Sequence, residues 1–280
     1  MTEQHARIRT EHPARGVARI VLARPEKRNA QDPRMLYELD AAFVAATADP
    51  DVRVIILAAD GPDFSSGHDL VAGFEMPGPP TATLEGDFDA EGIEGHLSFE
   101  CEAYLGLCRR WRDIPKPTIA QVQGKVIGGG LMLVWPLDLI VAAESASFSD
   151  PVAAFGVNGG EYFVHPWELG ARRAKELLFT GEPIGARDAC ALGMVNRVVP
   201  ESDLEAETLS LAELIATRPS MGLRLAKRSV NGALDAQGQA TAIDNAFALH
   251  HVGHANNLIR YGQIIDPAGV ELVRRSVRKP

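Results

Sequence analysis

The run from Val52 to Ala59, "VRVIILAA", constrains the fold more than any other stretch. It is short, almost wholly apolar and bounded by turn residues on both sides. A strand of this kind is covered on both faces, as in a mixed or parallel sheet. Its neighbours support that reading. "GVARIVLARP", residues 16–25, reads as another strand after a Pro/Gly turn. Asp32 followed by Pro33 supplies a cap and a first-turn proline. Met35, Leu36, Leu39 and Phe43 then recur at helical spacing, and the helix is expected to stop near Asp49 and Pro50.

The alternation continues down the chain. Residues 71–96 hold glycines, prolines and six acidic residues with no Lys or Arg, which predicts a long lid-like loop. A helix is expected from about Ser98 to Trp111, then strands over 118–122 and in "DLIVAA". An irregular stretch is expected from Glu144 to Trp167. "ARRAKELLFTG" reads as a helix closed by Gly181, and "IGARDACALGMVNRVVP" as a short helix and a short strand. Only helical patterns follow Glu201. The order predicts an α/β core over residues 1–200 and a helical C-terminal region over 201–280.

Composition narrows the function. A net charge of −9 argues against a general nucleic-acid binder, whose affinity rests on a basic surface. The three cysteines form no CxxC pair, so neither a disulfide framework nor a zinc site is expected from them. Cys101 and Cys108 are read as small hydrophobes on one helix face. No apolar run approaches the roughly 18–20 residues of a membrane span, and the polar first residues lack a signal-peptide core. The expectation is a cytoplasmic protein with no membrane partner.

Three consecutive glycines, Gly128–Gly130, stand in "GKVIGGGLMLVWPLDLIVAA" between a strand and a charge-free apolar run. A phosphate loop needs GxxxxGK[ST] and a dinucleotide fingerprint needs GxGxxG, and neither is present. The remaining functional reading is a strand running into a helix whose first N–H groups are free to meet developing negative charge. The alternative is close helix packing with no ligand. A second small-residue turn, "DGPDFSSGHDL" (Asp60 to Leu70), follows the strand at Val52 to Ala59. Two N–H donors, one from each turn, suit a thioester oxygen that becomes an enolate or tetrahedral oxyanion.

On these segments, together with "RPEKRNAQDPRMLYELDAAF", "DPVAAFGV" and "LLFTGEPIGARDACALGMVNRVVP", the chain resembles the crotonase (enoyl-CoA hydratase/isomerase) superfamily over most of residues 16–200. The resemblance implies a crotonase-like spiral of ββα units with a C-terminal helical region that builds homotrimers or hexamers. It implies an acyl-CoA thioester substrate, with no cofactor beyond the coenzyme A of that substrate. The thioester oxygen would be held by the N–H groups of His68 and Gly129. Ser66, Gly67, Asp69, Leu70 and Gly128 flank those donors as substrate contacts, His165 is expected as a further one, and Lys27 and Arg28 are expected near the CoA phosphates.

The sequence departs from the family's hydratases at both catalytic glutamates. Met132 and Val152 occupy those positions, where they remain substrate contacts without a proton to transfer. A positioned acid or base contributes about 10²–10⁴ in rate, so two-glutamate hydration is not expected. In the loop "FGVNGGEYFVHPWELG", Glu161 is the first replacement candidate, ahead of Tyr162 and His165. The His68 side chain is another, in a position shared with the family's decarboxylating branch. Isomerisation, decarboxylation, thioester or C–C bond hydrolysis, an altered hydration and non-catalytic acyl-CoA binding therefore all stay open. Asp69 and Asp150 are read mainly as turn-holding residues. "HHVGH" puts His250 and His254 at i and i+4, but no partner carboxylate is near in sequence, so no metal is expected.

Overall fold

The computed structural model describes residues 6–70, 85–86 and 88–277, with side chains through Val273. The chain opens with a hairpin, β1 (Ile8–Ala14) and β2 (Val17–Leu22), followed by α1 (Pro33–Ala48) and β3 (Val54–Ala59). Next come α2 (Ile93–Glu100), a π-helical stretch (Cys101–Gly106) and α3 (Leu107–Arg112). β4 (Thr118–Val122), β5 (Lys125–Ile127), a 3-10 turn of Gly128–Gly130 and α4 (Leu131–Val134) follow. After them lie β6 (Leu139–Ala143), β7 (Ser147–Ser149), α5 (His165–Leu169), α6 (Ala171–Thr180) and β8 (Ile184–Gly185). α7 (Ala186–Ala191) and β9 (Arg197–Val199) close the core. The rest is helical: α8 (Leu204–Ala216), α9 (Ser220–Ala236), α10 (Gln239–Tyr261) and α11 (Gly269–Val277).

The main sheet runs β1-β2-β3-β4-β6-β9, parallel throughout except for the β1–β2 hairpin. β5, β7 and β8 form a second, smaller sheet. The apolar run that predicted a doubly covered strand behaves as such. In β3, Ile55 and Leu57 point into the larger core with Met35, Leu39 and Phe43 of α1 and Trp111 of α3. Val54, Ile56 and Ala58 point the other way, under Leu204 and Ala212 of α8. A period of two buried on both sides needs no polar face, which is why the run carries so little charge.

The first helix also forms as its sequence dictates. Pro33 opens it, and the Asp32 carboxylate accepts the Met35 N–H at 2.8 Å. Three features differ from the expectation. β1 is a strand that the polar N-terminus did not announce, because an edge strand facing solvent carries charged residues. The expected helix at Ser98 begins earlier, at Ile93, and passes through the π-helical stretch. The irregular region holds β7, too short to show a period, and its end is taken by α5 from His165. The predicted 71–96 lid lies largely outside the described residues. Among the described residues, no helix is long and apolar enough to cross a membrane.

Candidate active site

Three loops leave the C-terminal ends of parallel strands β2, β3 and β4 and meet at one edge of the sheet. In α/β folds this is where ligands gather. Gln31 ties the three together. Its N–H donates to the Gly67 carbonyl at 2.8 Å, and its own carbonyl accepts from Asp69 N–H at 2.8 Å. Its side-chain Nε2 donates to the Gly129 carbonyl at 2.7 Å. Ser65 adds a second stitch by exchanging backbone hydrogen bonds with Lys125 and Ile127, both at 3.1 Å. Below the turns, the buried Arg24 guanidinium pairs with Asp69 at 2.8 Å.

This stitching leaves two N–H groups unused. In the parallel bridge between Gln31 and His68, the bonds come from the residues on either side of His68. In the 3-10 turn, Gly129 precedes the first closing bond, from Leu131 N–H to the Gly128 carbonyl. Among the described residues neither N–H has a backbone partner. Gly129 serves a further purpose. A Cβ there would stand 2.6 Å from the His68 ring, so the imidazole lies directly against the glycine backbone.

The His68 ring stacks on Tyr104, with centroids 4.4 Å apart, and its Nε2 meets the Glu161 carboxylate at 3.2 Å. Glu161 is carried by a 3-10 turn, Gly160–Tyr162, packed on α10. At Gly160 a Cβ would come within 2.5 Å of the Ala246 carbonyl, so only glycine lets this turn approach the helix. Burial pushes the Glu161 carboxyl upward, but the charge and hydrogen bond of His68 together with the charge of His250 more than offset it, and the group stays below the ordinary carboxylate value. Burial likewise opposes the His68 imidazolium, and Glu161 reverses the effect, holding His68 above its ordinary value.

Behind this pair lies a second charged cluster. Glu100, at the end of α2, is 2% exposed. The Nε2 atoms of His250, His251 and His254 on α10 all stand 3.4 Å from its carboxylate. His250 Nε2 also lies 3.9 Å from Glu161. Burial opposes ionisation of Glu100, yet His250 and His254 more than compensate and hold its carboxyl well below the ordinary range. His254 is held above the ordinary imidazole value, with burial opposing and Glu100 prevailing. Burial brings His251 down to about 4, against the pull of Glu100.

These groups face a cavity of about 280 Å³. Of the residues selected from the sequence, Ser66, Gly67, His68, Leu70, Gly128, Gly129, Val152 and Glu161 line it. Lys27 and Arg28 lie on the exposed turn beside it, where the Arg28 carbonyl accepts Ser66 N–H at 2.9 Å. Three selected side chains are placed elsewhere. Met132 is buried in the core, outside the cavity wall. Asp69 is held by Arg24 beneath the turns. His165 is 1% exposed, bonded through Nε2 to Asp150 at 2.7 Å and packed against Trp135 and Phe163. His165 and Asp150 thus join two loops inside the protein, and His165 is set aside as a substrate contact. Sequence reasoning missed Gln31, Glu100 and Tyr104. The only available signals were two glutamates, Glu100 and Glu102, in the otherwise apolar "SFECEAYLGL" and the three histidines of "HHVGH".

Comparison with known proteins fixes the class. The family model for enoyl-CoA hydratase/isomerase matches residues 12–262. A putative enoyl-CoA hydratase, EchA13, of Mycobacterium tuberculosis is 47% identical over 248 residues, covering 86% of this chain and 78% of the relative. The crystal structure of a probable enoyl-CoA hydratase from Mycobacterium smegmatis superposes with a TM-score of 0.85 at 46% identity, covering 94% of this chain and all of that one. 4-Chlorobenzoyl coenzyme A dehalogenase-2 of an Arthrobacter species is 31% identical over 250 residues, covering 88% of this chain and 86% of the relative. The chain belongs to the enoyl-CoA hydratase/isomerase family, and its fold is the crotonase fold.

The His68–Glu161 pair makes a pH signature whose sign is fixed. A raised imidazole stabilises the fold below its ordinary value of 6.5 and loses that contribution as pH rises through the raised one. A lowered carboxyl stabilises the fold above 4.5 and loses that contribution as pH falls through the lowered value. Glu100, Asp150 and His250 face the same two groups and are retained in the test variant. The difference in urea stability between the wild type and Glu161→Gln is expected to be largest between pH 4.5 and 6.5, shrinking on the alkaline side. The His68 ring should titrate lower in the variant by NMR.

Proposed function

We propose that this chain is an acyl-CoA enzyme that stabilises a thioester enolate with the N–H groups of His68 and Gly129 and moves the proton with Glu161. The observation that carries this reading is the Glu161–His68 contact at 3.2 Å, in the same cavity as both unused N–H groups. A thioester carbonyl seated between two N–H donors becomes more acidic at its α-carbon, because the donors meet the charge that develops on oxygen. Glu161, kept ionised by His68, is the base within reach. Leu70, Ile127, Val152, Phe155 and Val157 give the cavity an apolar wall suited to an acyl chain. Lys27 and Arg28, exposed beside Ser66, suit the phosphates of coenzyme A.

With Met132 and Val152 in place of the family's two glutamates, one base does the work. The reaction that best suits one base is migration of a double bond. Glu161 takes a proton from C2 of a 3-enoyl thioester, the electrons move onto the thioester oxygen, and the same carboxyl returns the proton at C4. His68 turns the carboxylate between the two carbons and balances its charge. The test uses 3-hexenoyl-CoA isomerisation alongside crotonyl-CoA hydration. Glu161→Gln is expected to lower kcat for isomerisation at least about a hundredfold with little change in thioester affinity. Isomerisation retained within a few-fold would contradict the role of Glu161. Hydration as fast as isomerisation in the wild type would contradict the single-base reading.

The C-terminal helices support self-association into a trimer or a pair of trimers. α9 buries none of its residues within the chain and leaves Met221, Leu225 and Val230 more than half exposed. A helix that shows this much apolar surface serves an interface. Sedimentation of the wild type should give a trimer or a multiple of it, and Leu225→Glu with Val230→Glu should give smaller species. A wild type that sediments as a monomer would contradict this.

A further inference from the structure

The buried face of α10 changes character along its length. Ile243, Ala246 and Phe247 are apolar, and the next positions on the same face are His250, His251 and His254. All three rings turn toward the one carboxylate of Glu100. Among the described residues, Glu100 Oε2, His251 Nε2 and His254 Nε2 have no hydrogen-bond partner. A buried polar atom without a partner is costly, and a buried charge more so. A charge-assisted hydrogen bond would draw such groups to about 2.7–2.9 Å. The separations here are 3.4 Å, which is too long for that.

His250 faces Oε2 of the Glu100 carboxylate and His254 faces Oε1, an arrangement in which an ion can sit between the three side chains. A zinc ion holds imidazole nitrogen at about 2.0–2.1 Å and carboxylate oxygen at about 2.0–2.2 Å, so the ligand atoms of a tetrahedral site stand about 3.3–3.5 Å apart. One donor atom each from Glu100, His250 and His254 lies within 4.8 Å of the other two, so small side-chain rotations close the set around an ion. We propose that Glu100, His250 and His254 form a site for a divalent transition metal, zinc by its donor set, whose fourth position opens on the acyl cavity. Two nitrogens and one carboxylate oxygen with an open position is a set used by catalytic zinc sites. The inference rests on these side chains and not on the acyl-CoA reading. It also revises the sequence expectation of no metal, which followed from the lack of a carboxylate near "HHVGH". Glu100 supplies that carboxylate from another helix.

The surroundings of each ligand agree to different degrees. His254 Nδ1 donates to the Ile264 carbonyl at 2.7 Å, the usual support of a metal-bound histidine, which leaves Nε2 facing Glu100 to give up its proton when a metal binds. His250 Nδ1 accepts Gly160 N–H at 3.4 Å. Ligation through Nε2 puts the proton on Nδ1, so that long contact is given up when metal binds. Gly160 immediately precedes Glu161, and metal binding is therefore felt at the turn that carries the proposed base. All three ligands and Glu161 line one cavity, so the fourth position is open to water or to an oxygen of the acyl group.

The test uses the full chain, freed of metal by chelator and titrated with Zn²⁺ against a chromogenic competitor. One equivalent per chain with a Kd of roughly 1 µM or tighter is expected. Glu100→Gln and His254→Ala should each weaken binding at least about thirtyfold, while His12→Ala, on the exposed first strand, should leave it unchanged. The unaltered protein loaded with Co²⁺ should show the intense visible bands of a four- or five-coordinate ion, a readout that does not depend on whether the variants fold. Failure to bind one equivalent, wild-type affinity in both Glu100→Gln and His254→Ala, or the weak spectrum of octahedral cobalt would each overturn the proposal.

Discussion

The site depends on one buried amide. Gln31, 3% exposed, bonds to the backbone of Gly67, Asp69 and Gly129. These bonds hold two turns, from different strands, at a fixed separation. A net hydrogen bond contributes about 1 kcal/mol to stability, but a buried carbonyl left unpaired costs about 1–3 kcal/mol. The Gly129 carbonyl is paired by Gln31, and the Gly129 N–H on the other side of the same residue has no backbone partner among the described residues. The geometry of a polar pocket is thus set by which backbone groups the fold satisfies and which it leaves over.

The second organising fact is the charge buried beside those turns. Glu161 and Glu100 both lie in the cavity wall, each facing histidine. Both are buried, and both are held ionised because imidazole charge outweighs the loss of hydration. They differ in setting. Glu161 sits on a short turn seated against α10 through Gly160, next to the two unused N–H groups. Glu100 ends a helix and meets three histidines from one face of α10. The first arrangement suits proton transfer, and the second suits holding an ion.

Much of the fold was legible because its signals are local and periodic. The two-sided burial of β3, the cap at Asp32 and the helical C-terminal region each follow from a few adjacent residues. The Gly-rich turns were legible too, since glycine marks close backbone approach. The rest depends on contacts across long sequence separations. Gln31 reaches 98 residues to Gly129, and His68 reaches 93 to Glu161. The choice of Glu161 came from loop composition and the family resemblance, and the structure places it against His68. His165 illustrates the opposite case. Its sequence context resembled that of Glu161, yet its bond to Asp150 keeps it inside the protein. Glu100 offered no sequence cue beyond being a charge in an apolar helix.

The central claim is that Glu161 acts on the α-carbon of a thioester whose oxygen is held by the N–H groups of His68 and Gly129. Its most direct measurement is exchange of the α-protons of butyryl-CoA in deuterated water, followed by NMR without any net reaction. The account predicts deuterium at C2 with the wild type, and loss of that exchange in Glu161→Gln while butyryl-CoA still binds. Tight binding with no exchange in the wild type, or exchange that survives in Glu161→Gln, would contradict it.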